Sequence, residues 1–105
     1  MAWVYLFIAA VFEIAWALGL KFSDGFTRFW PSVLTVTAMV VSLALLSLAV
    51  RTIPVGTGYA VWTGIGAVGT AIFGMVLFAE PATACRIFFL LLIITGVIGL
   101  KFSAD

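Results

Sequence analysis

Glu13 is the one charged side chain within four long apolar stretches, Ala2 to Leu20, Pro31 to Val50, Val55 to Ala79 and Ile87 to Leu100. It lies close to the centre of the first stretch, about 3 Å from its midpoint at the rise of an α-helix. An acidic residue at that depth of a bilayer costs roughly 2.5 to 3.5 kcal/mol on insertion scales, so intramembrane carboxylates usually mark ion or proton paths. The structural alternative is a protonated group that hydrogen-bonds between helices. Apolar surroundings disfavour a bare charge, and a second copy of Glu13 in a dimer would disfavour it further. The group is therefore expected to hold either a proton or a cation, and one carboxylate that holds either couples the two flows by competition.

Few other side chains share that chemistry. On the helical face of Glu13 lie Ala9, Ala10, Trp16 and Ala17, with small residues for close approach and an indole one turn away. Trp16 is too deep for an interfacial belt, although a lipid-facing ring is the plain alternative. Ser42 sits near the middle of the second stretch and shares a face with Thr35, Ala38, Leu45 and Ala49. A lone membrane serine most often bonds its own i−4 carbonyl; the functional reading makes it a hydroxyl partner of Glu13. In the third stretch Tyr59 and Trp62 are spaced i, i+3, with Thr63 and Gly66 extending the face. They read either as an aromatic belt or as inward donors that fix the Glu13 carboxylate while their rings face a cation.

Gly64, Gly66 and Gly69 spell GxGxxG, a dinucleotide fingerprint only where a strand precedes and a helix opens. No such unit exists here, so the glycines read as a deformable patch in a long helix. Gly96 and Gly99 read as packing notches, with a dimer seam as one possibility.

Composition removes most other chemistries. The chain has 105 residues, 66% hydrophobic and 9% charged, with a net charge of +1 and a mean hydropathy of +1.36. A soluble domain carries roughly 25% charge. Five Lys or Arg balance four Asp or Glu without clustering, so there is no nucleic-acid footprint. Cys85 is alone and there is no His, which leaves no disulfide, CxxC pair or histidine-based metal site within one chain. No cofactor is implied, and no nucleophile and base pair is visible, so an enzyme is not expected.

The elements that must position these residues are helices, since backbone groups in lipid have to be satisfied internally. The chain reads as one transmembrane domain, 1–105, with helices at about 2–20, 31–50, 55–79 and 84–103. Ala2 to Leu20 lacks a preceding basic region and is expected to be retained as a span. Ile87 to Leu100 alone covers only about 21 Å of a hydrocarbon core of about 30 Å. Snorkelling of Arg86 and Lys101 would extend it to about Ser103; a re-entrant segment is the alternative. Asp24-Gly25 is a turn signal, and Pro31 can open the second helix. Short connectors predict an all-α, up-down four-helix bundle with both termini on one side. Arg51 and Lys101 fall on that side and Lys21, Arg28 and Arg86 on the other, almost no positive-inside bias. A single orientation set by this weak bias is one reading; insertion both ways, pairing as an antiparallel homodimer, is the other. Four helices hardly surround a solute path and seal it alternately, whereas opposed copies would supply inverted-repeat symmetry.

With these residues in view the chain resembles the small multidrug resistance family, and within it the guanidinium-exporter subtype. The likeness runs through Met1-Ala2-Trp3, Glu13-Ile14-Ala15-Trp16-Ala17, Gly19-Leu20-Lys21, Gly25-Phe26-Thr27-Arg28 and Pro54-Val55-Gly56-Thr57. It continues through Tyr59-Ala60-Val61-Trp62-Thr63-Gly64-Ile65-Gly66-Ala67 to Gly99-Leu100-Lys101. Trp16 resembles the guanidinium exporters, whereas the family's lipophilic-cation pumps usually carry a smaller residue there. The resemblance implies an antiparallel, dual-topology homodimer in the bacterial inner membrane that exports guanidinium in exchange for protons. It implies Glu13 as the shared site and Trp16, Ser42, Tyr59 and Trp62 as pocket lining. Ala10 stands where the subtype commonly has glycine, so it and Thr63 would shape the pocket. Export of lipophilic quaternary ammonium ions and a non-transporting accessory subunit are the competing readings.

Overall fold

The computed structural model describes residues 1–103 as four α-helices: α1 (Ala2–Phe22), α2 (Phe29–Ala49), α3 (Val55–Leu77) and α4 (Ala84–Ser103). All four are long and apolar enough to cross a membrane. α4 is a full-length helix, with Arg86 in its first turn and Lys101 in its last.

The ends of the helices differ from the sequence expectation by about a turn at most, and local chemistry explains each difference. α1 continues to Phe22 because Ser23 closes it: the Ser23 hydroxyl donates to the Leu20 carbonyl at 2.9 Å and accepts the Phe26 amide at 3.1 Å. Asp24, Gly25 and Phe26 then all adopt left-handed backbone, with φ of 50, 69 and 65°. That tight reversal lets α2 begin at Phe29 rather than Pro31. Pro31 becomes the third helical residue, where its missing N–H removes no intrahelical bond. α3 stops at Leu77 because Ala79 turns left-handed, with φ 54°.

The helices do not close into a four-helix bundle, which corrects the expected architecture. α1 packs on α2 and α3, whereas the α4 backbone lies beside α3 alone. The result is a slab of 43 × 35 × 16 Å, little thicker than one helix with its side chains. No residue of α4 is buried. Its apolar residues surround it on all sides, the mark of a helix facing lipid or another chain. The core lies between α1, α2 and α3, where Leu6, Ala9, Ala10, Ala49, Val61 and Trp62 are buried. Alanine at three of those positions allows close backbone approach, which drives helix association where lipid removes the hydrophobic term.

Candidate functional site

Glu13 is half-buried, and its carboxylate rests on α3 at Gly66. A β-carbon at Gly66 would overlap the carboxylate and come within 3.0 Å of Glu13 Cγ. Glu13 Oε1 is buried and has no hydrogen-bond partner among the described residues. An unsatisfied acceptor in a low-dielectric site is unfavourable, and a carboxyl oxygen can relieve that by taking up a proton or accepting from a donor.

The carboxylate stands in a cleft of about 500 Å³ between α1 and α3. From α1 come Glu13, Ala17 and Lys21, and from α3 come Thr63, Gly66, Thr70 and Gly74. The α3 residues follow i, i+3 and i+4 spacing, so they form one stripe. Thr70 Oγ1, like Glu13 Oε1, is buried without a partner among the described residues. Phe78, Glu80 and Arg86 stand at the other end of the cleft, where α3 passes into α4. The cleft thus runs along α3 from the level of Glu13 to the end where α3 passes into α4.

Ser42, fully buried, does not bond its own helix or the carboxylate. Its hydroxyl donates across the interface to the Ala9 carbonyl at 2.7 Å and accepts the Trp62 indole N–H at 3.0 Å. In α1 the Ala9 carbonyl is the intrahelical acceptor of the Glu13 amide. The Trp62–Ser42–Ala9 bridge therefore ties three helices together one turn before the carboxylate. Within this protomer the Trp62 indole points inward and donates to Ser42, not to the carboxylate.

Tyr59 is exposed, its ring 5.7 Å from that of Trp62. Its hydroxyl makes no hydrogen bond among the described residues, so it does not hold the carboxylate within this protomer. Trp16 packs against the core instead of lining the cleft, and its indole N–H is buried without a partner among the described residues. Ala10 is likewise core. Thr63 lines the cleft and donates to the Tyr59 carbonyl at 2.8 Å.

The glycines divide by what faces them. α3 runs unbroken through Gly64, Gly66 and Gly69, and each is a site of close approach: Val97 meets Gly64, Glu13 meets Gly66 and Ile14 meets Gly69. Gly96 and Gly99 face open space, with nothing within 4 Å of an added β-carbon; they are not notches within the protomer. Glu80 was not among the candidates drawn from sequence. Its only local signal is an acid at a helix end followed by Arg86, whose guanidinium it binds at 2.8 Å.

Four helices long and apolar enough to cross a membrane, with one acid at mid-span, define the class as a multi-pass membrane protein. The chain belongs to the small multidrug resistance family: the model described as "Small Multidrug Resistance protein" matches residues 1–93. It is 57% identical over 104 residues to a protein of Salmonella typhimurium strain LT2 named "Guanidinium exporter", covering 99% of each chain. Proteins of the same name from Proteus vulgaris and Citrobacter freundii are 53% and 57% identical. The alignments cover 99% of this chain and 100% of the Proteus protein, and 98% of both chains for Citrobacter. The resemblance drawn from the residues is thereby borne out.

Proposed function

We propose that this protein exports guanidinium across the bacterial inner membrane in exchange for protons, as an antiparallel homodimer, with Glu13 as the seat that both ions occupy in turn. The observation that carries this reading is the buried, partnerless Oε1 of Glu13 in a cleft open toward one membrane face. The relatives named for guanidinium export support the substrate.

The exchange balances simply. Protonated Glu13 releases H⁺ as guanidinium arrives, leaving a carboxylate–guanidinium pair, and the reverse step at the opposite face restores the acid. Guanidinium is planar, stays charged at physiological pH and offers a fork of N–H donors to a carboxylate. Gly66 leaves room for the carboxylate itself, since an added β-carbon would overlap it. The Trp62–Ser42–Ala9 bridge holds α1 one turn before Glu13.

Dimerisation follows from what the protomer leaves bare. No residue of α4 is buried, Gly96 and Gly99 are uncovered, and the slab seals the cleft on too few sides for alternate access. Two oppositely inserted copies meet that need, in line with the near-equal division of Lys and Arg between the faces.

The test is transport current in proteoliposomes at several pH values, with guanidinium compared against a bulky tetraalkylammonium ion. Saturable guanidinium currents that weaken as protons compete support the proposal. Currents with the bulky ion alone would instead place the protein among lipophilic-cation exporters.

A further inference from the structure

We propose that Glu80 is a second guanidinium-binding station at the mouth of the cleft, held by the guanidinium of Arg86 until substrate displaces it. The inference rests on the exchange reading above.

Glu80 and Glu13 line one cleft, and each carboxylate is seated against a glycine of α3. Gly66 lies under Glu13, and Gly74 lies under Glu80, where a β-carbon would come within 2.6 Å of Oε1. Along α3 the two glycines are separated by about 12 Å of helical rise. The loop holds Glu80 in place: left-handed Ala79 folds the chain back, and the Glu80 amide donates to the Gly74 carbonyl at 3.3 Å. The carboxylate therefore meets α3 in a fixed position at the cleft entrance.

What occupies that carboxylate now is itself a guanidinium. Arg86 Nη2 donates to Glu80 Oε1 at 2.8 Å, and Nη1 donates to the Pro81 carbonyl at 3.2 Å. A site that binds the arginine head through a carboxylate oxygen and a nearby carbonyl offers the acceptors that free guanidinium needs. Both partners are about one-third exposed or more, at 33% and 40%. Exposed pairs of this kind are worth a factor of about five or less in equilibrium, so the internal guanidinium is exchangeable. A tethered group competes at an effective concentration of roughly millimolar, within reach of a dissolved cation. Released Arg86 sits at a helix end, where lipid phosphate can receive it.

The remaining charge at the mouth is Lys21, which lies over the Phe78 ring at 5.6 Å. With Lys21 and Arg86 both present, Glu80 is the one group there that favours entry of a cation. It gives the substrate a stop between the membrane face and Glu13.

The test compares guanidinium transport by wild type, Glu80→Gln and Arg86→Gln in proteoliposomes, after each dimer is checked by size-exclusion chromatography. Loss of Glu80 should raise KM about threefold or more, and loss of Arg86 should lower it, because the competing internal cation is gone. A salt bridge with a purely structural role would move both variants in the same direction, overturning the inference. A diffuse field could mimic the opposite signs, so the comparison is repeated near 1 M choline chloride, where screening reaches about 3 Å. Opposite shifts that persist support a contact site; shifts abolished by salt overturn it. Should Glu80→Gln fail to assemble, Glu80→Asp replaces it, with the shorter acid expected to raise KM less than Gln. Wild type that carries no guanidinium at all would sink the exchange reading itself, whereas active wild type with indifferent variants sinks only the second station.

Discussion

The carboxylate of Glu13 lies against Gly66 so closely that the two positions cannot both carry a β-substituted side chain in this packing. An acid on α1 is thus fitted to a bare strip of α3 backbone. Gly66→Ala should displace the carboxylate while leaving the helices able to insert. A misplacement of about 1 Å lowers a positioned reaction by up to a hundredfold, so guanidinium flux is expected to fall about tenfold to a hundredfold. Flux measured beside size-exclusion profiles separates this from failure to assemble.

The bridge through Ser42 makes a second prediction. Ser42→Ala strands the buried Trp62 N–H, which costs about 1 to 2 kcal/mol of stability. Trp62→Phe removes that donor, so the double variant should lose less than the sum of the two single losses. Reversible unfolding in mixed micelles reads all three.

Proton competition has a definite sign. Where the carboxyl group is mostly protonated, each added proton blocks one substrate, so guanidinium affinity falls with falling pH and approaches about tenfold per pH unit. At higher pH the dependence flattens. Tryptophan fluorescence titrations across a pH series measure it, and a flat profile throughout would contradict a shared seat.

The four spans and the singular acid were legible in the sequence because hydropathy and a misplaced charge are local signals. Closure was not: α4 is apolar all round, so its pattern does not say which face a neighbour covers. The GxGxxG glycines read as flexible because nothing in sequence shows that Glu13, Ile14 and Val97 arrive opposite them. Likewise Ser42 carries no mark of its true acceptor, a backbone carbonyl on another helix. The partner of Trp62 follows from that same tertiary contact, which is why the sequence leaves an aromatic belt and an inward donor equally open. Glu80 carries no such signal, because a loop acid is ordinary until the fold brings it into the same cleft as Glu13.

The bare face of α4 predicts the association surface. An added β-carbon at Gly96 or Gly99 meets open space beyond its own helix, so Gly96→Leu and Gly99→Leu should leave the protomer helical. If α4 forms the seam, they lower dimer yield in membrane crosslinking about tenfold, the scale expected when close backbone approach is blocked. Unchanged crosslinking would move the seam elsewhere.

Orientation is checked by reporters fused to the C-terminus, which should signal from both faces of the membrane; signal from one face alone would contradict opposed insertion. The most direct measurement of the whole account is proton-coupled guanidinium exchange in vesicles made with Glu13→Gln. The assembled variant should neither take up guanidinium against a proton gradient nor release protons when guanidinium is added. Exchange at the wild-type rate would show that the mid-span acid is not where the two ions meet.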